Sequence, residues 1–227
     1  MSREEVTRRI EEIGVIPSIR VSSPEDALFV AEAVSVGGIP IVEITMTVPG
    51  AVDVVRELVR SRPELVVGAG TVLDEQTARR CLDAGASFLT GTGYDEGVVN
   101  AALAAEVAVF PGVLTPTEII RAWKAGCDVV KIFPCSQVGG ASYIRALKAP
   151  FPQVRMLASG GVNQQTAADF MSAGATALGV GGALVPAAAI RQRQAHWISE
   201  LARRFVHIVH EVRNRKPEEW AGTTLAR

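Results

Sequence analysis

The sequence predicts an α/β fold, closed as a TIM (β/α)8 barrel with an N-terminal capping helix, on three observations. Short apolar runs alternate strictly with amphipathic segments, the pattern of a parallel sheet whose strands are covered by helices on the outside. The alternation repeats eight times, the count that closes such a sheet into a barrel. At 227 residues, with no linker and no shift in composition, the chain has the size of one barrel domain. An open doubly wound sheet is the second choice.

Residues 2–12 carry charges at helical spacing with Val6 and Ile10 on one side, which predicts the capping helix. The first unit is a strand from Val15 to Arg20 and a helix opened by Ser22-Ser23-Pro24-Glu25 that runs to Gly37-Gly38. Serine caps that helix and proline suits its first turn. The second unit joins Ile39 to Thr45 with a helix from Pro49 to Arg60, and the third joins Leu65 to Gly68 with a helix led in by Thr71 and Asp74 and stopped near Ala84-Gly85. Ser87 to Thr90 and Asp95 to Ala105 make the fourth unit, Val107 to Phe110 and Thr115 to Ala125 the fifth. The sixth strand, Cys127 to Pro134, precedes a helix from Ser142 to Lys148. Val154 to Ala158 with Gln164 to Ala173 is the seventh unit, and Ala175 to Val180 with one long helix from Ala187 to Arg213 is the eighth. The barrel domain thus spans 1–213, and 214–227 form a polar C-terminal tail.

With 48% hydrophobic and 21% charged residues, the chain reads as an ordinary soluble globular protein. A net charge of −1 offers no general field for nucleic acid or an anionic membrane, so any anionic ligand must be held by local groups. Cys81, Cys127 and Cys135 lack metal-ligand spacing, and the N-terminus is charged and amphipathic, as expected of a reduced, cytoplasmic protein. No apolar run approaches the roughly 20 residues that span a bilayer. All three histidines, His196, His207 and His210, fall in the last helix, so no ligand set converges at the strand ends and neither a metal nor a cofactor is expected. Covalent chemistry through an amine is the consistent choice.

Barrels of this kind carry their chemistry at the C-terminal ends of the strands. Lys131 lies there among Val129, Val130 and Ile132. Lysine is seldom buried without a partner, and burial disfavours the charged ammonium, leaving an amine that is a nucleophile. On the strand alone, a lysine that snorkels to solvent explains the pattern as well. Glu43, Thr45 and Thr47 share one face of the second strand, and Val129, Lys131 and Phe133 share one face of the sixth. If the apolar residues between them face outward, Glu43 and Lys131 meet inside the barrel, as a catalytic pair or as a structural ion pair. Arg20 ends the first strand, Thr71 follows the third, and Ser159-Gly160-Gly161 and Gly179-Val180-Gly181-Gly182 end the seventh and eighth. Each glycine pair alone reads as a tight turn; at adjacent strand ends the two favour an anion site built from backbone N–H groups.

Glu43-Ile44-Thr45, Gly68-Ala69-Gly70-Thr71-Val72-Leu73, Phe110-Pro111-Gly112-Val113, Val130-Lys131-Ile132-Phe133-Pro134, Ser159-Gly160-Gly161-Val162 and Gly179-Val180-Gly181-Gly182 occur in the order found in a known family. Over residues 10–190 the chain resembles the class I pyruvate aldolases that cleave 2-keto-3-deoxy-6-phosphogluconate and 4-hydroxy-2-oxoglutarate. The resemblance implies a cytoplasmic homotrimer without a cofactor, acting on pyruvate and an aldehyde, phosphorylated in the first case, through a Schiff base on Lys131 with Glu43 moving protons. It also implies that Thr45, Thr71 and Phe133 line the pyruvate site and that Gly160, Gly161, Gly181 and Gly182 lie near a phosphate. Four positions depart from the family. Thr47 stands where many members have an arginine, a charge Arg20 can supply; Gly91-Thr92 replaces Ser-Pro, with Thr92 at the substrate site. Ser159 replaces threonine, and Gly182 replaces a serine that touches phosphate. A sugar-phosphate isomerase or epimerase using Glu43 alone, or a non-catalytic binder of small phosphorylated or keto-acid ligands, is the alternative.

Overall fold

Parallel strands joined by outer helices close on themselves in a computed structural model that describes residues 1–215. The strands are β1 (Val15–Ile19), β2 (Ile41–Thr45), β3 (Val66–Gly70), β4 (Phe88–Thr90), β5 (Ala108–Phe110), β6 (Gly112–Val113), β7 (Val130–Ile132), β8 (Met156–Ser159) and β9 (Ala177–Val180). Their spatial order is β5-β4-β3-β2-β1-β9-β8-β7-β6, every pairing parallel. β5 and β6 are two halves of one barrel strand. Pro111 separates them, and proline has no N–H to give the ladder. The first half pairs with β4 and the second with β7, so this broken strand closes the barrel and the eight predicted units are all present.

Helix α1 (Arg3–Ile13) starts at a capping box, Ser2 with Glu5, and ends at Gly14 in the left-handed region. It buries Val6 and Ile10 against β1, β5 and β9 and so plugs the barrel base. Arg3 fixes it there by pairing with Asp128 at 2.7 Å. The outer helices are α2 (Pro24–Val36), α3 (Ala51–Ser61), α4 (Glu75–Asp83), α5 (Glu96–Ala104), α6 (Pro116–Lys124), α7 (Ala141–Lys148), α8 (Ala167–Ser172), α9 (Ala187–Arg191) and α10 (Ala195–Asn214). Ser23, Asp74, Asp95 and Thr115 each accept a hydrogen bond from an otherwise orphaned first-turn amide. Among the described residues, no helix is long and apolar enough to cross a membrane.

Three elements differ from expectation. The sixth strand is confined to Val130–Ile132 within the expected Cys127 to Pro134, because only those three residues pair with the neighbouring strands. The third strand runs two residues further, to Gly70, because it pairs residue for residue with β2 up to Thr45. The long final helix is in fact two, α9 and α10, separated at Gln192–Gln194 where Arg193 has φ +50°. Arg193 pairs with Asp26 at 3.0 Å and stacks 4.9 Å from the Phe29 ring, so contacts with α2 hold the break that periodicity alone does not show. Of the predicted tail, only Asn214, which ends α10, and Arg215 lie within the described residues.

The barrel interior is layered. Phe88 and Phe110 stack with centroids 5.6 Å apart, and Thr90, two residues beyond Phe88 and therefore on its face, sits above them. This places polar side chains over an aromatic floor, toward the C-terminal mouth.

Candidate active site

Lys131 leaves the middle of β7 and is 4% exposed; Glu43 leaves the middle of β2 and is 1% exposed. The two strands stand on opposite sides of the barrel, yet Lys131 Nζ lies 3.8 Å from Glu43 Oε2. The lysine does not snorkel. Its head stays inside, 5.9 Å from the centroid of the Phe133 ring on the same strand face. Thr90, fully buried, stands between the pair: its hydroxyl donates to Glu43 Oε2 at 2.8 Å and accepts from Lys131 Nζ at 3.2 Å. Room for the carboxylate comes from Gly70, where an added Cβ would lie 2.3 Å from Glu43 Oε1.

Glu43 and Lys131 line the floor of a cavity of about 610 Å³ at the C-terminal mouth, with Thr90 buried beneath it. Its walls carry Arg20, Thr71, Thr92, Phe133, Ser159, Gly160, Gly161, Gly181 and Gly182, nine further residues singled out in the sequence. Glu43, Lys131 and Arg20 are its charged members. Thr71 reaches the wall with φ +57°, a conformation that costs a β-branched residue on the order of 1–3 kcal/mol. Gly160 and Gly161 have φ of +89° and +85°, readily available only to glycine. Among the described residues, the N–H groups of Gly160, Gly161, Gly181 and Gly182 have no backbone acceptor, which leaves them free for an anion.

Two expected residues stay outside the cavity wall. Thr45 is buried with its hydroxyl committed to the Ile19 carbonyl at 3.0 Å, and Thr47 is exposed and bonded to Thr45 Oγ1 at 2.7 Å. Together they tie the end of β2 to β1. Ser18, Asn163, Ala183 and Val185 line the cavity without having been singled out, and Thr90 was read only as the last residue of a strand. Its signal was available: Phe88 and Thr90 alternate onto one face at a C-terminal strand end.

A shallower depression of about 700 Å³ at the barrel base is lined by Glu11, Glu12, Arg155, Thr176 and Arg213, but Arg213 is spent on the carbonyls of Glu11 and Glu12. No group of three or more His, Cys, Asp or Glu is placed to hold a metal ion among the described residues.

Residues 6–201 match the family model described as KDPG and KHG aldolase. The 2-dehydro-3-deoxy-phosphogluconate aldolase of Pseudomonas aeruginosa is 35% identical over 173 residues, covering 74% of this chain and 79% of that protein. The KHG/KDPG aldolase of Escherichia coli is 34% identical over 193 residues, covering 85% and 90%. A solved structure of the KDPG aldolase of Legionella pneumophila, with pyruvate captured as a covalent carbinolamine intermediate, superposes with a TM-score of 0.80 at 29% identity, covering 87% of this chain and 96% of that one.

Proposed function

This chain belongs to the KDPG and KHG aldolase family, and from that premise we propose how its residues carry out the family's class I reaction. The substrate is a 2-keto-3-deoxy-6-phospho sugar acid of the phosphogluconate type, split reversibly to pyruvate and glyceraldehyde 3-phosphate, or 4-hydroxy-2-oxoglutarate, split to pyruvate and glyoxylate. Lys131 Nζ, as the neutral amine, adds to the C2 ketone to give a carbinolamine. Loss of water leaves an iminium, which draws electrons from the C3–C4 bond. Glu43 takes the proton of the C4 hydroxyl as that bond breaks, the aldehyde departs, and an enamine of pyruvate remains on the lysine. Returning the proton to C3 and adding water releases pyruvate and restores the amine.

Thr71 and Phe133 flank the ketone and carboxylate end, with Arg20 as the cation for a substrate carboxylate. The N–H groups of Gly160, Gly161, Gly181 and Gly182 hold the distal phosphate. The observation that carries the reading is a buried lysine 3.8 Å from a buried carboxylate at the floor of a cavity that opens at the strands' C-terminal mouth. A purely structural pair would gain little by such placement, since buried ion pairs add little stability.

Borohydride reduction in the presence of pyruvate tests it. The expected product is a stable pyruvyl adduct on Lys131, lost in Lys131→Ala together with turnover, while Glu43→Gln keeps the lysine and loses on the order of 10²–10⁴ in rate. An epimerase using Glu43 as a carbon base would leave Lys131 unmodified. We further propose a cytoplasmic homotrimer in which residues 1–213 form the catalytic domain. A light-scattering mass of one chain, or loss of turnover when residues 216–227 are removed, would contradict that.

A further inference from the structure

We propose that Thr90 is a proton relay between Lys131 and Glu43, a role that rests on the Schiff-base reading above. A hydroxyl has one proton to give and lone pairs with which to receive one. Thr90 uses both on the reacting pair: it donates to Glu43 Oε2 at 2.8 Å and accepts from Lys131 Nζ at 3.2 Å. The pair itself is 3.8 Å apart, beyond hydrogen-bond range, so the bonded route between them runs through Oγ1. The charged groups facing the lysine are Glu43 from β2 and, across the cavity, Arg20 beyond the end of β1.

The step balances without solvent. As one N–H bond of the Lys131 ammonium breaks, its proton bonds to Thr90 Oγ1. The proton that Oγ1 carried passes to Glu43 Oε2. The lysine is left with a lone pair, the threonine with one hydroxyl proton as before, and the carboxylate as a neutral carboxyl group. The charge pair is cancelled at the moment a neutral amine is required, and Glu43 then holds the proton that lets the carbinolamine hydroxyl leave as water. Threonine suits the task because its branched Cβ restricts χ1 and its full burial keeps water from competing for either bond. A hydroxyl that only satisfied its own burial could bond a neighbouring strand carbonyl, as Thr45 does with Ile19.

The test compares Thr90→Val, which keeps the shape and removes the proton, with Thr90→Ser, which keeps the proton and removes the methyl. The readout is the rate at which borohydride traps pyruvate on Lys131 of the full chain, followed by quenched-flow mass spectrometry as a function of pH. Thr90→Val should trap at least about 10-fold more slowly near neutrality, and Thr90→Ser should return to within about threefold of wild type. Equal losses in the two variants, or a Thr90→Val enzyme with wild-type rate and profile, overturn the relay. Should Thr90→Val lack the wild-type circular dichroism, Thr90→Ala against Thr90→Ser decides by the same criterion. Wild type that traps no pyruvate on Lys131 refutes the Schiff-base reading itself, an outcome distinct from a Thr90 variant that behaves as wild type.

Discussion

Gly70→Ala should damage catalysis while leaving the fold in place. The new Cβ would sit 2.3 Å from Glu43 Oε1 and 2.4 Å from its Cδ, against an ordinary contact of 3.4 Å or more. Relief therefore requires a displacement of about 1 Å, taken by the carboxylate because Gly70 is held in the ladder opposite Thr45. A shift of that size stretches the 2.8 Å bond from Thr90 past hydrogen-bond range. Misplacement by about 1 Å costs on the order of 10² in rate. The backbone itself gives no objection, since Gly70 is not among the residues with positive φ. Overpacking costs about 1–3 kcal/mol, partly offset by the 0.4–1 kcal/mol or so gained when alanine restricts the unfolded chain. The assay is steady-state cleavage coupled to pyruvate detection, with thermal unfolding alongside. A folded Gly70→Ala enzyme with kcat within twofold of wild type would refute the claim that the Glu43 position governs the chemistry.

Gly182→Ser places a hydroxyl where nothing lies within 4 Å of an added Cβ. A new bond to a charged group is worth about 1.5–3 kcal/mol, so kcat/KM for the phosphorylated substrate should rise roughly 10-fold or more, with little change for 4-hydroxy-2-oxoglutarate; parallel changes on both would argue against a phosphate at this loop. Burial pushes the thiols of Cys127 and Cys135 up to about 12 and that of Cys81 up to about 11. In native protein at about pH 8 none of the three should react with a disulfide reagent, and all should react in denaturant. Because these folded values lie above the ordinary thiol value of 9.0, the stability they contribute is complete below that pH. It is lost as pH rises toward 11–12, at about 1.4 kcal/mol per thiol per pH unit. Denaturant titrations at rising pH check it, and a flat alkaline profile would contradict the burial argument.

Much of the barrel was legible because its signals are local. Ser23 with Pro24, Asp74, Asp95 and Thr115 announced helix starts that the structure caps through those side chains. Lys131 and Glu43 stood out because a charge inside a β-branched run needs a reason. The split of the last helix at Arg193 escaped because its cause is an ion pair with Asp26 and a stack on Phe29, more than 160 residues back in the chain. The break of the fifth strand at Pro111 was written in the sequence, yet which half pairs with which neighbour was not.

By itself the sequence determined the alternation that makes a barrel, the strand face that each side chain occupies, and the two ionisable groups worth suspecting. Only the tertiary structure decided which of those side chains meet. Alternation sorts residues to one side of a strand, whereas height within a barrel depends on the stagger between strands, a property of the closed sheet rather than of any segment. That stagger brings Thr90 between Lys131 and Glu43 and leaves Thr45 bonded to Ile19 at the rim, although both threonines end a strand on its inward-reading face.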